Sequence, residues 1–198
     1  VAQDLARQDV RVVIGHFCSG AMIAASKVYL DAGILAITPS ATLPAVTEQP
    51  GWNVLRLAAR DDAQADIAAA RILADDANAK VAIISDGQPT MRSLVARLKG
   101  KLSSGSEHMV KPGTANFTDM ANEVKAEAPT VVYLAMSASD AGNLAKALKE
   151  NNVAARLYGP DLLLNEVYWE RAGEAGEGTR VTFAADPLTF TNRFRVSQ

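Results

Sequence analysis

The sequence predicts an α/β fold built on parallel sheets, and three observations predict it. Short continuous apolar runs recur at Val12–Ile14, Ile34–Ile37, Val81–Ile84 and Val131–Leu134, as strands buried in a parallel sheet require. Stretches with apolar residues spaced three and four apart follow them, the spacing of one helix face. The two patterns alternate along nearly the whole chain, so each strand is followed by a crossover helix. With 198 residues, 48% of them hydrophobic, the chain has material for a real core.

Taken in order, residues 1–9 read as the end of a helix and Arg11 to Ile14 as a strand covered on both faces. Gly15 breaks that strand. Ser19 is placed to N-cap a helix over 19–31, whose apolar face carries Ala21, Ala24, Ala25 and Val28 and which Gly33 ends. Ile34 to Ile37 is a second buried strand, followed by the Thr38–Thr47 loop with Pro39 and Pro44. Asn53 to Leu57 is a short strand. A helix starts near Asp61, its first turn acidic as the helix dipole favours, with Ala65, Ala68, Ala69, Ile72 and Leu73 inward. The pairs Asp61-Asp62 and Asp75-Asp76 read as solvated helix ends.

Val81 to Ile84 is a strand, Ser85-Asp86-Gly87 its turn, and Met91, Leu94, Val95, Leu98 and Leu102 mark the next helix. Further strands are expected at Glu107–Val110, Val131–Leu134, Arg156–Tyr158 and Thr179–Ala184, and helices over 118–127 and 164–172. Ser137 and Asp140 form a capping-box pattern with Asp in place of Glu, opening a helix with Ala141, Leu144, Ala145 and Leu148. Tyr158, Tyr168 and Trp169 are expected to be core residues for at least two of the three.

Several function classes find no support. Net charge is −2 with both signs dispersed, which argues against a nucleic-acid partner. No apolar run approaches the roughly 18 residues of a membrane span. The one cysteine, Cys18, excludes an internal disulfide framework. There is no G-x-G-x-x-G, P-loop or G-x-S-x-G, so nothing points to a nucleotide or to a nucleophile elbow. His16, Cys18 and Ser19 supply too few ligands for a tetrahedral metal site, and the other histidine, His108, falls in a strand. No cofactor and no enzymatic activity are expected. The chain starts without a signal peptide or methionine, and both ends read as those of a fragment.

Ligands of parallel sheets bind beyond the carboxyl ends of the strands. Five loops qualify: Gly15 to Ser19, Thr38 to Thr42, Ser85 to Thr90, Ala135 to Ser139 and Gly159 to Asp161. Several carry hydroxyls beside a helix start, where free N–H groups suit a carboxylate. Asp161 is a lone carboxylate after Gly159-Pro160. Donors on one side and an acid on the other suit a zwitterion. The plain alternative is that Ser19 and Ser137 only cap helices and Asp161 only makes a turn.

The blocks Val13-Ile14-Gly15-His16-Phe17-Cys18-Ser19, Tyr29-Leu30-Asp31-Ala32-Gly33-Ile34-Leu35 and Thr38-Pro39-Ser40-Ala41-Thr42 closely resemble the periplasmic leucine/isoleucine/valine-binding proteins, the solute-binding components of ABC importers. Leu55-Arg56, Asn116-Phe117-Thr118, Val132-Tyr133 and Tyr158-Gly159-Pro160-Asp161 extend the likeness in the same order. The resemblance implies a two-lobed type I periplasmic binding protein fold closing on its ligand like a hinge, with the first lobe incomplete. Residues 1–59 would be part of the N-terminal lobe, 60–184 the second lobe and 185–198 a crossover back. It implies a periplasmic location, a small amino acid or related carboxylate as ligand, and a membrane permease as partner. A ligand-sensing domain of a regulator or receptor with the same fold is the rival reading.

By position, the resemblance gives Ser19 and Thr42 the ligand carboxylate. It gives the Ser40 carbonyl and the Thr42 hydroxyl to the ammonium, and Asp161 the place of the acidic ammonium partner, usually Glu. Ala41 lies within the same loop, and Phe17 and Cys18 would lie beside the ligand side chain. In relatives with this loop the cysteine pairs with one in a segment absent here, leaving Cys18 an orphan. Thr90 stands where the family has an aromatic, and so does the neighbourhood of Ser137 and Ala138. With Asp for Glu at 161, the second lobe's wall would be looser and more polar, suiting a larger or more polar amino acid, or another small carboxylate, as well as leucine.

Overall fold

The computed structural model describes residues 1–102 and 105–183. Strands and helices alternate through them: α1 (Ala2–Ala6), β1 (Val12–Ile14), α2 (Ser19–Asp31), β2 (Leu35–Thr38), α3 (Ala45–Glu48), β3 (Val54–Arg56), α4 (Ala63–Asp75), β4 (Val81–Ser85), α5 (Pro89–Lys101), β5 (Gly105–Met109), α6 (Thr118–Glu127), β6 (Val131–Ala135), α7 (Ala138–Glu150), β7 (Arg156–Gly159), α8 (Glu166–Ala172) and β8 (Arg180–Val181). The chain divides into two compact units, Val1–Ala63 and the part from Gln64 onward. The expected crossover over 185–198, and Ala184 of the expected last strand, lie outside the described residues.

In the first unit β1, β2 and β3 pair in sequence order, all parallel. The register sets Val13, Ala36 and Val54 side by side, and Val12, Ile14, Leu35, Ile37 and Leu55 on the other face. The first face packs on Met22, Ala25 and Tyr29 of α2, on Val46 of α3 and on α1. Right-handed crossovers between strands laid down in order bring their helices to one side. Among the described residues β1 is covered on this face only. Ile14 is 81% exposed and Val12 50%, and β2 alternates rather than being buried throughout.

In the second unit the order is β5-β4-β6-β7-β8, again all parallel. The chain leaves β4 for β5, then returns to place β6 on β4's other side. That reversal puts helices on both faces. Ala82, Ile84, Val132 and Leu134 pack with α6, α7 and α8. Val81, Ile83, Val131 and Tyr133 pack with α4 and α5. Every residue of β4 and β6 is buried, which explains their unbroken apolar runs. Tyr158 and Tyr168 are core residues and Trp169 is partly exposed.

The helix expected near Asp61 is present and begins at Ala63. Two local expectations are corrected. Asp62 is buried and held by Arg60 through two bonds of 2.8 Å. Asp75 is paired with Arg71 and Arg180 and accepts the Tyr158 hydroxyl, while Asp76 pairs with Arg156. Neither aspartate pair is a solvated helix end, because arginines reach three of the four carboxylates, Arg60 from two residues away and Arg180 and Arg156 from distant strands. The second correction is the capping box. Ser137 caps α7 by accepting the Asp140 N–H, but the Asp140 carboxylate is buried and accepts the Gly113 N–H. Its shorter side chain is used across the fold rather than on its own helix.

Helices α7 and α8 pack closely at Gly142. A Cβ there would lie 2.8 Å from the Tyr168 carbonyl oxygen and 2.6 Å from the Arg171 Cβ. Gly142→Ala gains about 0.5–1 kcal/mol of helix propensity and loses roughly 1–3 kcal/mol to overpacking against backbone. It is expected to lower the chemical-denaturation midpoint, and a raised midpoint would contradict this packing.

Candidate functional site

Because all the strands of each unit run parallel, their carboxyl ends lie along one edge, and the polar residues singled out above gather at those edges. In the first unit the loops after β1 and β2 are tied together. Thr38 Oγ1 donates to the His16 carbonyl at 2.8 Å and accepts the Ala41 N–H at 3.1 Å. Ser40 Oγ donates to the Phe17 carbonyl at 3.0 Å. Ser19 Oγ accepts the N–H groups of Thr42 and Leu43 at 3.1 and 3.2 Å.

Ser19 is therefore not the N-cap. Cys18 holds that position without a side-chain bond, and Ser19 is the first helical residue. Its hydroxyl is drawn to the neighbouring loop because two amides there need an acceptor. With two lone pairs taken, the hydroxyl keeps one function, its proton, which it can only donate. The first amides of α2 lie beside it without intrahelical acceptors.

Thr42 is fixed on its other side. Its hydroxyl donates to Asp61 Oδ2 at 2.7 Å, and Arg56 donates to the carbonyls of Thr42 and Leu43 at 3.2 and 2.8 Å. Burial, with the charge of Arg60 close by, pulls the Arg56 guanidinium below its usual value. Thr42 Oγ1 still has lone pairs to accept a donor. Ala41 is buried beneath the loop, while Phe17 is 80% exposed and Cys18 is an exposed free thiol. His16 Nε2 lies 2.9 Å from the Tyr29 hydroxyl and is occupied there.

In the second unit the strand order reverses between β4 and β6, and ligands of such sheets are preferentially held beyond the carboxyl ends at that point. Thr90 stands in the first turn of α5 after β4, half-buried, and Ser137 caps α7 after β6. Asp161 follows β7 at the head of a short 3-10 turn. Gly159 is required just before it, since a Cβ would strike the Leu163 side chain.

One contributor escaped the sequence reading. Gln64, on α4, grips Asp161 twice: its Nε2 donates to Asp161 Oδ1 at 2.9 Å, and its Oε1 accepts the Asp161 N–H at 3.0 Å. Thr182 Oγ1 donates to the same Oε1 at 2.5 Å. No local pattern signals a contact between residues 97 apart in sequence. Tyr133 is the second surprise. Its hydroxyl is buried with no hydrogen-bond partner among the described residues. Burial, with the charge of Asp161 adding to it, pushes the phenol above its usual value. Among the described residues no cluster of His, Cys, Asp or Glu could hold a metal ion.

Parallel-sheet units of this build are those of the type I periplasmic binding proteins. The chain belongs to that family: the family model described as periplasmic binding protein matches residues 1–193. Among curated relatives, the Leu/Ile/Val-binding protein homolog 1 of Brucella suis is 35% identical over 192 residues, 94% of this chain and 52% of that one. An amino acid binding protein of Pseudomonas aeruginosa is 33% identical over 195 residues, with the same coverage of 94% and 52%. The chain thus spans about half the length of the curated relatives it matches. A putative branched-chain amino acid ABC transporter structure from Rhodospirillum rubrum superposes with a TM-score of 0.82 at 26% identity, over 96% of this chain and 59% of that one.

Two substitutions test the geometry. Ser19→Ala strips the Thr42 and Leu43 amides of their acceptor and is expected to destabilise the first unit by roughly 1–3 kcal/mol in denaturant titration. Tyr133→Phe removes an unpartnered hydroxyl. It is expected to leave stability unchanged or raise it by up to ~3 kcal/mol, and a clear loss would mean that the hydroxyl has a partner.

Proposed function

We propose that this chain is part of a solute-binding protein of an ABC importer, which takes a small amino acid or related carboxylate between two lobes that close on it like a hinge. The observation that carries the reading is the opposite polarity of the two strand-end sets. The first unit presents donors: the Ser19 hydroxyl proton and the free amides at the start of α2. The second presents an acid, Asp161. A zwitterion needs both, the donors for its carboxylate and the acid for its ammonium. The names of the Brucella and Pseudomonas relatives, Leu/Ile/Val-binding and amino acid binding, support an amino acid as the ligand.

In this reading Ser19 and the first amides of α2 hold the carboxylate; the share of it expected for Thr42 is corrected, because the Thr42 amide already donates to Ser19 and its hydroxyl to Asp61. The Ser40 carbonyl and Thr42 Oγ1 accept from the ammonium, and Asp161 neutralises it. Phe17 and Cys18 border the ligand side chain, and Ala41 belongs to the binding loop between Ser40 and Thr42. Thr90 and Ser137 form the facing wall, where a hydroxyl and small side chains leave room for a larger or more polar group than leucine. Residues 1–59 belong to one lobe, 60–184 to the other, and 185–198 cross back. The protein works in the periplasm, hands its ligand to a membrane permease and performs no chemistry on it.

Calorimetric titration of the full-length polypeptide that carries this sequence, against a panel of amino acids and aromatic acids, tests the proposal. An amino acid is expected to bind tightest and be recovered unaltered. Asp161→Ala is expected to weaken that binding by roughly 2–3 kcal/mol, the cost of leaving a desolvated charge unpaired. If the tightest ligand lacks an amino group, the role of Asp161 is wrong.

A further inference from the structure

We infer that Gln64 is the positioning residue for Asp161: its carboxamide fixes the acid by a two-point grip and leaves one carboxylate oxygen free for a ligand ammonium. The inference rests on the proposed role of Asp161 and goes beyond it, since Gln64 lies on a different element, 97 residues away.

The geometry has three parts. The carboxamide donates to Asp161 Oδ1 and accepts from the Asp161 N–H, so side chain and backbone are held by one planar group. The bond from the backbone N–H sets the carboxamide against the Asp161 main chain, and the single bond to Oδ1 then holds the carboxylate from that fixed point. Next, the carboxamide is itself held. Thr182 donates to Oε1, so that oxygen accepts two bonds and the amide cannot flip without losing both and facing donors with donors. Finally, the grip uses only one side of the acid. Gln64 takes Oδ1, and no bond to Oδ2 is present among the described residues.

The chemistry explains why a glutamine suits this place. A lysine or arginine here would neutralise Asp161 and compete with an ammonium for it. A glutamate would repel it. A neutral amide orients the carboxylate and leaves its charge available. The first turn of α4 packs beside the end of β7 because Ala65 and Ala68 are buried against the sheet through Tyr158 and its neighbours. The grip therefore runs from a packed helix to the short 3-10 turn that directly follows β7. Ammonium recognition in this unit depends on the join between α4 and β7, and not only on the residue that would touch the ligand.

The test uses the full-length polypeptide and two matched probe pairs: L-leucine with 4-methylpentanoate, and L-phenylalanine with 3-phenylpropanoate. Each pair differs only in the ammonium. Affinities are measured by calorimetry for the wild type, Gln64→Met, Asp161→Ala and the double variant, with thermal melts as the folding control. Gln64→Met keeps the length of the side chain and removes both bonds. It is expected to weaken the preferred amino acid about tenfold, the scale of one charge-assisted hydrogen bond, and to leave its des-amino partner unchanged. In the Asp161→Ala background it should add no further loss. Thr182→Val, which frees the Gln64 carboxamide without touching Asp161, should produce a smaller loss in the same sense, and serves if Gln64→Met does not fold. Equal weakening of both members of a pair, or no change for the amino acid, overturns the inference while leaving the role of Asp161 standing. An Asp161→Ala protein that still prefers the amino acid as strongly as the wild type overturns that role, and the inference with it. So does a wild type that binds neither amino acid more tightly than its des-amino partner.

Discussion

Parallel strand pairing is the constraint on which the rest depends. Every described strand pair in both units is parallel, so each connection must return the full length of the sheet, and helices supply that return. The same constraint sends all carboxyl ends to one edge. Ser85 and Tyr133 aside, polar residues are kept out of β4 and β6, where every position is buried. They collect instead in the loops that follow the strands, where backbone groups are free and side chains can reach them. The functional geometry is in this sense a by-product of pairing direction.

Within those edges the two units solve one problem with similar means. Loops at strand ends carry orphan amides and carbonyls that must be satisfied if the loops are to hold one shape. In the first unit a serine hydroxyl accepts two amides from the neighbouring loop. In the second a glutamine carboxamide pairs with the backbone and side chain of one aspartate. Each is a neutral group that makes two contacts at once. Each leaves a polar function over, the serine proton in one case and a carboxylate oxygen in the other. Charged groups are used differently. Arg180 of β8 pairs with Asp75 of α4 and joins two elements, while Arg60–Asp62 and Arg71–Asp75 are ion pairs between near neighbours in sequence.

Much of the fold was legible because it is written in local periodicity. The helices over 19–31 and 118–127 occur at the residues expected, and the apolar runs of β4 and β6 announced their two-sided burial. Val12 and Ile14 lie on a face of the three-strand sheet that no described residue covers, although their apolar run is identical in kind to that of β6. Ser19 misled. It has the right residue type for a cap, but a stronger demand for its oxygen comes from a loop 23 residues on.

The sequence by itself determined most of the strands and helices, though not α3 in the stretch read as a loop, that the strands are parallel, and which loops carry hydroxyls and acids to the strand ends. These follow from side-chain spacing and backbone preference, which act over a few residues. Only the tertiary structure decided which of those polar groups are already spoken for. Ser19 lends its oxygen to Thr42 and Leu43, Asp140 turns to Gly113, and Asp161 is gripped by Gln64. Hydrogen bonds between residues far apart in the chain leave no period behind them. The partner of a buried or half-buried polar group is chosen by which atoms the packed sheet and helices bring within 3 Å or so of it, and that choice exists only once the chain has folded.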